Sequence, residues 1–321
     1  MTRSFIHFTA QNTAIVDNGP LPDQAAENQM IVRTHVSSIS AGTERMWFEG
    51  RATALTSGRK SYPYQPGYAS IGEVVSVGDG VEGYAVGDRV FYPKPHGDSH
   101  VIQMGRDRIF KISNDAPAQD VLLSTLLTTA LNTVRRGRIA PGDKVAVVGF
   151  GLLGFLITQL LREVLVADVT VVARNPSRHT DLCAQLGATL TDQPDGVKAP
   201  IAIDTTGAQG GFNMACRAAA SNGKVLGAGF YCDPISIDGE AFFTKELDIL
   251  AVRAGGGPTD LPRDPVWSSA SNLEYAVTLT SSGRIKADGL LTEHLTPQEA
   301  LNWYADNAPA KRPTLTLIDW P

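Results

Sequence analysis

The chain has 321 residues, 43% of them hydrophobic, with 31 glycines and 19 prolines. That length predicts about two domains, and that composition excludes disorder and collagen-like structure. The 28 lysines and arginines against 33 aspartates and glutamates leave a net charge of −5, without the basic face that a nucleic-acid partner requires.

In chain order, the first 110 residues are rich in short β signals broken by turn formers. Met30–Val36 and Ile71–Val77 are apolar and β-branched, Gly78-Asp79-Gly80 closes the second as a turn, and Val86–Phe91 reads as a turn entering a strand. Helical periodicity is scarce there, so a β-rich unit is expected. From Val121 the pattern changes to a helix over Val121–Arg135, strand Lys144–Val148 and helix Leu152–Leu165. Strand Asp168–Val172, helix Ser177–Leu186, strand Ile201–Asp204, helix Gly211–Ala220 and strand Lys224–Gly227 follow. Strands alternating with helices predict βαβ units and a parallel, doubly wound α/β sheet. The last strand signal, Thr314–Trp320, is expected to return to the β-rich unit.

No apolar run reaches the roughly 18 residues that span a bilayer, and the first residues lack the layout of a secretory signal. Cys183, Cys216 and Cys232 form no Cys-x-x-Cys pair, which suits a reducing cytoplasm and speaks against disulfides or a thiolate zinc site. The expectation is a soluble cytoplasmic enzyme with no membrane or nucleic-acid partner.

Gly149-Phe150-Gly151-Leu152-Leu153-Gly154 sits between a predicted strand and a predicted helix. Gly149 permits the tight turn, Gly151 lets backbone approach a pyrophosphate, and Gly154 lets helix and strand pack closely. The phosphates then meet the unpaired N–H groups of the helix start, at Leu152 and Leu153. A site for NAD places an acid about 20 residues further on, against the ribose 2′-hydroxyl. Here the second strand ends Val172-Ala173-Arg174, and Asp168 lies at its wrong end. Arg174, with Arg178 four residues on, suits a 2′-phosphate, so NADP(H) is the expected cofactor.

The ordered motifs GEVVSVGDGV, VGDRVF, IAPGDKVAVVGFGLLG, IDTTG and KELDIL resemble the medium-chain dehydrogenase/reductase superfamily nearly end to end. The resemblance implies a chaperonin-10-like (GroES-like) catalytic domain over 1–119 and 266–321, interrupted by a Rossmann domain over 120–265. It also implies that Thr205, Thr206, Gly207 and Gly229 lie near the nicotinamide half of the cofactor. A homodimer is implied as well, with Lys245–Val252 as the candidate sheet edge. Zinc-dependent members carry a cysteine where this chain has Ala41 and Gly-His-Glu where it has Gly67-Tyr68-Ala69. The resemblance therefore implies a zinc-independent member. Within the superfamily, Ser38–Arg45, Trp47, Gly50 and Pro66-Gly67-Tyr68 resemble the hydroxyethyl-bacteriochlorophyllide dehydrogenase branch.

Without zinc, a hydrogen-bond donor must stabilise the oxygen that receives charge during hydride transfer. Thr43 is at the position of the hydroxyl that contacts the substrate oxygen in zinc members, and alternatively closes a local turn bond. Tyr68 is at a former ligand position. Its phenol, ordinarily near pKa 10, either donates a proton once a neighbouring cation lowers it, packs against substrate, or belongs to the core. Met46 replaces a relay histidine. Trp47, Tyr62, Tyr64 and Tyr92 are expected to line a pocket for a bulky substrate, Glu44 and Arg45 to pair locally, and His96 and His100 to hold a loop or surface role. Three functions remain open: an NADPH-dependent alcohol dehydrogenase or ketoreductase, an enoyl or quinone reductase, and a non-catalytic NADPH-binding sensor.

Overall fold

The computed structural model describes residues 1–253, 267–306 and 314–321. The chain opens with an antiparallel hairpin, β1 (Thr2–Ala10) and β2 (Thr13–Pro20), turned at Asn12 in the left-handed region. Then come β3 (Gln29–Ile39), α1 (Ala41–Phe48), a single turn α2 (Thr53–Thr56), β4 (Ser70–Val77), β5 (Arg89–Tyr92), β6 (Ser99–Gln103) and β7 (Phe110–Lys111). The sequence reading foresaw the strands around residues 30, 71 and 90 but not the hairpin or α1. The expected helix over Val121–Arg135 is split into α3 (Ala118–Val121) and α4 (Ser124–Gly137).

The parallel part runs β8 (Lys144–Val148), α5 (Leu152–Gln159), β9 (Asp168–Val172), α6 (Thr180–Gln185), β10 (Thr189–Thr191) and β11 (Ala199–Asp204). It continues through α7 (Gln209–Ala218), β12 (Ala219–Gly227), α8 (Gly239–Thr244), β13 (Asp248–Ala251) and α9 (Ser269–Ser281). The chain ends with β14 (Leu291–Leu295), α10 (Pro297–Ala305) and β15 (Thr314–Asp319). No helix of the described residues is long and apolar enough to cross a membrane.

Two compact units result. The first holds residues 1–123 with 292–309 and 315–321, the second 124–291 with 310–314. In the first, antiparallel strands lie in the order β14-β15-β3-β4-β5-β7, with β6 also paired to β3. Met30, Val32, Val74, Val90, Tyr92 and Ile102 form one core cluster. Ile6, Phe8, Ile39, Phe48, Tyr304, Ile318 and Trp320 form another, joining the hairpin and α1 to the last helix and strand.

In the second unit the sheet order is β10-β9-β8-β11-β12-β13, the 3-2-1-4-5-6 order of a dinucleotide-binding sheet. Its inner strands β8, β9 and β11 are largely buried aliphatic runs, as expected of strands covered on both faces, while the edge strands β10 and β13 are partly exposed. The expected return to the catalytic unit at residue 266 is corrected to 292. The reason is packing: Thr280 on α9 bonds Ser124 on α4 at 2.8 Å, Arg135 on α4 bonds Asn272 on α9, and the Lys286 N–H donates to Gln159. The α9 segment therefore belongs with the parallel sheet.

Candidate active site

In the second unit, β8 and β11 are neighbours at the point where strand order reverses, and the loops after them meet. Gly149 has φ +87°, and a Cβ there would lie 2.6 Å from the Thr206 methyl. Gly154 is held against the same turn, since a Cβ on it would lie 2.2 Å from the Gly149 carbonyl oxygen. Gly151 has open space where its Cβ would be, and it begins α5 with no side-chain cap. The first-turn N–H groups, which include those of Leu152 and Leu153, thus lack intrahelical partners by construction. The loop fits a bound pyrophosphate: two glycines build it and the third leaves room.

Thr205 is tied to the glycine loop itself. Its hydroxyl donates to the Val148 and Gly149 carbonyls at 3.0 and 3.1 Å, so it staples the glycine loop. Thr206 donates from its N–H and its hydroxyl to Asp204, and the Tyr231 hydroxyl donates to the other Asp204 oxygen at 2.5 Å. Gly207, at φ +65°, and Gly229 are packed backbone to backbone. Sequence reasoning missed Asp204. Its signal was an acid ending an apolar strand with threonine two residues on, the pattern of a side chain that caps its own turn.

The end of β9 is free of acid. Ala173 is buried with its N–H on the Thr191 carbonyl, while Arg174 and Arg178 are exposed and form no ion pair among the described residues. Arg162, by contrast, is committed to the Leu186 and Ala167 carbonyls. An exposed, unengaged guanidinium at this strand end fits a 2′-phosphate.

In the first unit, Ser40 is the cap residue just before α1, and the half-buried Thr43 stands in its first turn. Tyr68 follows Gly67, whose φ of +96° and close approach to His96 (a Cβ would lie 2.6 Å from the His96 nitrogen) exclude larger residues. The structure brings the two expected catalytic residues together. The Tyr68 phenol is pushed up to about 12, chiefly by burial and then by the Glu44 carboxylate, while hydrogen bonds from the Ser40 and Thr43 side chains pull it down. The net shift is thus upward, opposite to the acidification that a positive neighbour would give. Tyr68 is a neutral phenol at physiological pH.

Beside it, Trp47 and Tyr64 stack at 4.0 Å and 6°, and the Tyr62 hydroxyl donates to the Trp47 carbonyl at 2.5 Å. These three half-buried rings form one aromatic wall. Tyr92 does not join it. It is fully buried in the other core cluster, with its hydroxyl paired to Thr34 at 2.8 Å, and is a core residue. The expected Glu44–Arg45 pair is also absent. Arg45 donates to the Asp306 carbonyl and lies over Trp303, while Glu44 turns inward to His96 and Tyr304. His96 is fully buried rather than at a surface, and its two ring nitrogens face Ser37 and Glu44.

Residues 26–117 match the family model of the alcohol dehydrogenase GroES-like domain. A solved structure described as a zinc-binding dehydrogenase from Sinorhizobium meliloti 1021, bound to NADP, superposes with a TM-score of 0.80, covering 99% of each chain at 17% identity. The fold is that of the medium-chain dehydrogenases. A second structure with this dehydrogenase fold, a short chain alcohol dehydrogenase from E. coli CFT073 complexed with NADH, gives 0.76 at 19% identity over 99% of each chain. Among curated relatives, the (R,R)-butanediol dehydrogenase of Bacillus subtilis is 31% identical over 45% of this chain, so the match spans 49% of that relative. The 2-dehydro-3-deoxy-L-galactonate 5-dehydrogenase of Pseudoalteromonas atlantica is 25% identical over 84% of this chain and 85% of its own.

At two positions where the resemblance places zinc ligands, this chain has Ala41 and Tyr68. Ala41 offers a methyl group, and a phenol near 12 offers no anion at neutral pH. Among the described residues no three His, Cys, Asp or Glu side chains converge on a metal position.

Proposed function

We propose that this protein is a cytoplasmic, zinc-independent, NADPH-dependent oxidoreductase acting on the carbonyl or secondary alcohol of a fairly bulky substrate. The observation that carries the reading is the Tyr68 phenol, neutral and held by the Ser40 and Thr43 hydroxyls, at a position where the family implies a zinc ligand. Oxidoreductase activity on an alcohol or carbonyl is supported further by the curated dehydrogenases that the chain resembles. A bound nicotinamide supplies the hydride. Gly149, Gly151, Leu152, Leu153 and Gly154 hold its pyrophosphate, Arg174 and Arg178 its 2′-phosphate, and Thr206, Gly207 and Gly229 shape the neighbouring turn.

Tyr68 then donates a hydrogen bond to the carbonyl oxygen. As negative charge develops there, the phenol passes its proton, and Thr43 and Ser40 solvate the phenolate that forms. The Trp47–Tyr64 stack gives the substrate an aromatic wall. One positioned acid of this kind supplies about 10²–10⁴ of rate.

The test is NADPH oxidation by the purified protein over a panel of ketones, enones and quinones, before and after prolonged chelation. Reduction of saturated ketones, unchanged by chelation, is the expected outcome. Turnover of enones or quinones only would make it a C=C reductase, and cofactor binding without any turnover would make it a sensor. Activity lost on chelation and restored by zinc would end the zinc-independent reading.

We further propose a homodimer. The proposal is supported by β13, at the end of the parallel sheet, and by the exposed side chains of Phe242 and Phe243 on the preceding helix. Size-exclusion chromatography is expected to give twice the mass of one chain at micromolar concentration, and a clean monomer would overturn it.

A further inference from the structure

Glu44 has no part in the chemistry above, yet it is among the most enclosed charged groups of the chain, at 1% exposed. Burying a carboxylate is costly unless donors surround it. Three do. The Ser40 N–H donates to Oε1 at 2.8 Å, His96 Nε2 meets Oε2 at 3.0 Å, and the Tyr304 hydroxyl donates to Oε2 at 2.5 Å.

The network continues behind His96. Trp320 Nε1 donates to the Ser37 hydroxyl at 3.0 Å, and that hydroxyl lies 2.8 Å from His96 Nδ1. One arrangement that fits these contacts has the Ser37 hydroxyl donating to Nδ1 and His96 donating from Nε2 to Glu44. Every polar side-chain atom named in this network then has a partner. The other titratable groups around Glu44 are the Tyr64, Tyr68 and Tyr304 phenols, on which its charge acts.

Two features set this apart from a core anchor. The Ser40 N–H that Glu44 holds is the entry to α1, the turn from which the Ser40 and Thr43 hydroxyls reach Tyr68. His96, one of the three partners of Glu44, is also the group against which Gly67 is packed, one residue before Tyr68. The same carboxylate thus controls both approaches to the phenol.

We propose that Glu44, seated by His96 and Tyr304, is a positioning residue for Tyr68. It locks the turn whose hydroxyls hold the phenol and keeps a fixed negative charge beside it. This rests on the reading of Tyr68 as the proton donor, but it can be tested without turnover.

The experiment is a phenolate absorbance titration of the full chain by stopped-flow pH jump, with the Tyr68→Phe trace subtracted to isolate Tyr68. Glu44→Gln keeps the shape and removes the charge, and is expected to raise the acid constant of Tyr68 by about threefold or more. Tyr304→Phe keeps the carboxylate and is expected to leave that constant within about twofold. A folded Glu44→Gln protein with an unchanged Tyr68 titration overturns the proposal, as does an equal change in both variants.

Should Glu44→Gln fail to fold, Glu44→Asp decides. It retains the charge but withdraws it from the Ser40 N–H, and kcat is expected to fall about tenfold or more with KM little changed. An unaltered kcat overturns the proposal. A shifted phenol in a protein that reduces no carbonyl leaves Glu44 its role and removes the proposed function instead.

Discussion

Tyr68→Phe is expected to lower kcat for carbonyl reduction by about 10²–10⁴, the yield of one positioned acid, with little change in KM. The alkoxide left by hydride transfer is roughly as strong a base as hydroxide, its conjugate acid near 15.7. A phenol pushed up to about 12 is still the stronger acid, so the proton moves downhill. In the reverse direction the same shift works against the enzyme. At pH 7 only about one phenol in 10⁵ is ionised and able to accept the alcohol proton. Alcohol oxidation should therefore climb about tenfold per pH unit until the fold fails or pH approaches 12, while reduction stays nearly flat below that. Steady-state rates in both directions from pH 6 to 10, for wild type and Tyr68→Phe, check this. A Tyr68→Phe enzyme with wild-type kcat and raised KM would make Tyr68 part of the pocket wall.

Arg174→Ala is expected to weaken NADPH binding about 10- to 150-fold, since a hydrogen bond to a charged partner contributes about 1.5–3 kcal/mol. The exposed guanidinium follows the buried Ala173, which presents no acid to repel a phosphate. NADH has no 2′-phosphate and should lose far less. Adding Ala173→Asp to that variant should turn preference toward NADH, by supplying a 2′-hydroxyl acceptor and a repelling charge. Fluorescence titration of both cofactors against each variant reads the result. Equal weakening of both cofactors, or a wild type that already prefers NADH, would reduce Arg174 to surface charge.

The parallel unit was legible because its information is local. The Val145–Val148 run, the three glycines and the alternating βα pattern each act within a few residues, and the observed strand order follows from them. The hairpin at residues 2–20 escaped notice because its partly exposed strands carry no apolar alternation strong enough to register. The α1 helix escaped because its inward face is set by Glu44, a charge whose donors come from residues 52 and 260 positions away. Tyr92 was misplaced for a related reason. An aromatic residue beside a predicted pocket reads the same whether its hydroxyl meets substrate or Thr34. Tyr68 and Thr43 were singled out by their positions in a known pattern, but the burial and the Glu44 charge that raise the phenol were visible only in three dimensions.

The last strand of the first unit, β15, pairs with β3 from Thr316↔Ile39 to Asp319↔Val36. Trp320 and Tyr304 also complete the hydrogen bonds that start at Ser37 and Glu44. On the ribosome this imposes an order of events. The parallel sheet is synthesised whole while the unit begun first still lacks β15, and its buried carboxylate one of its three donors. Domains generally fold as units during synthesis, so the nucleotide-binding half can finish early while the half that began first must wait. The same interleaving governs recombination. A Rossmann unit exchanged with a relative has to enter as an insert with two junctions, and a single crossover would leave β3 without β15 and Glu44 without Tyr304.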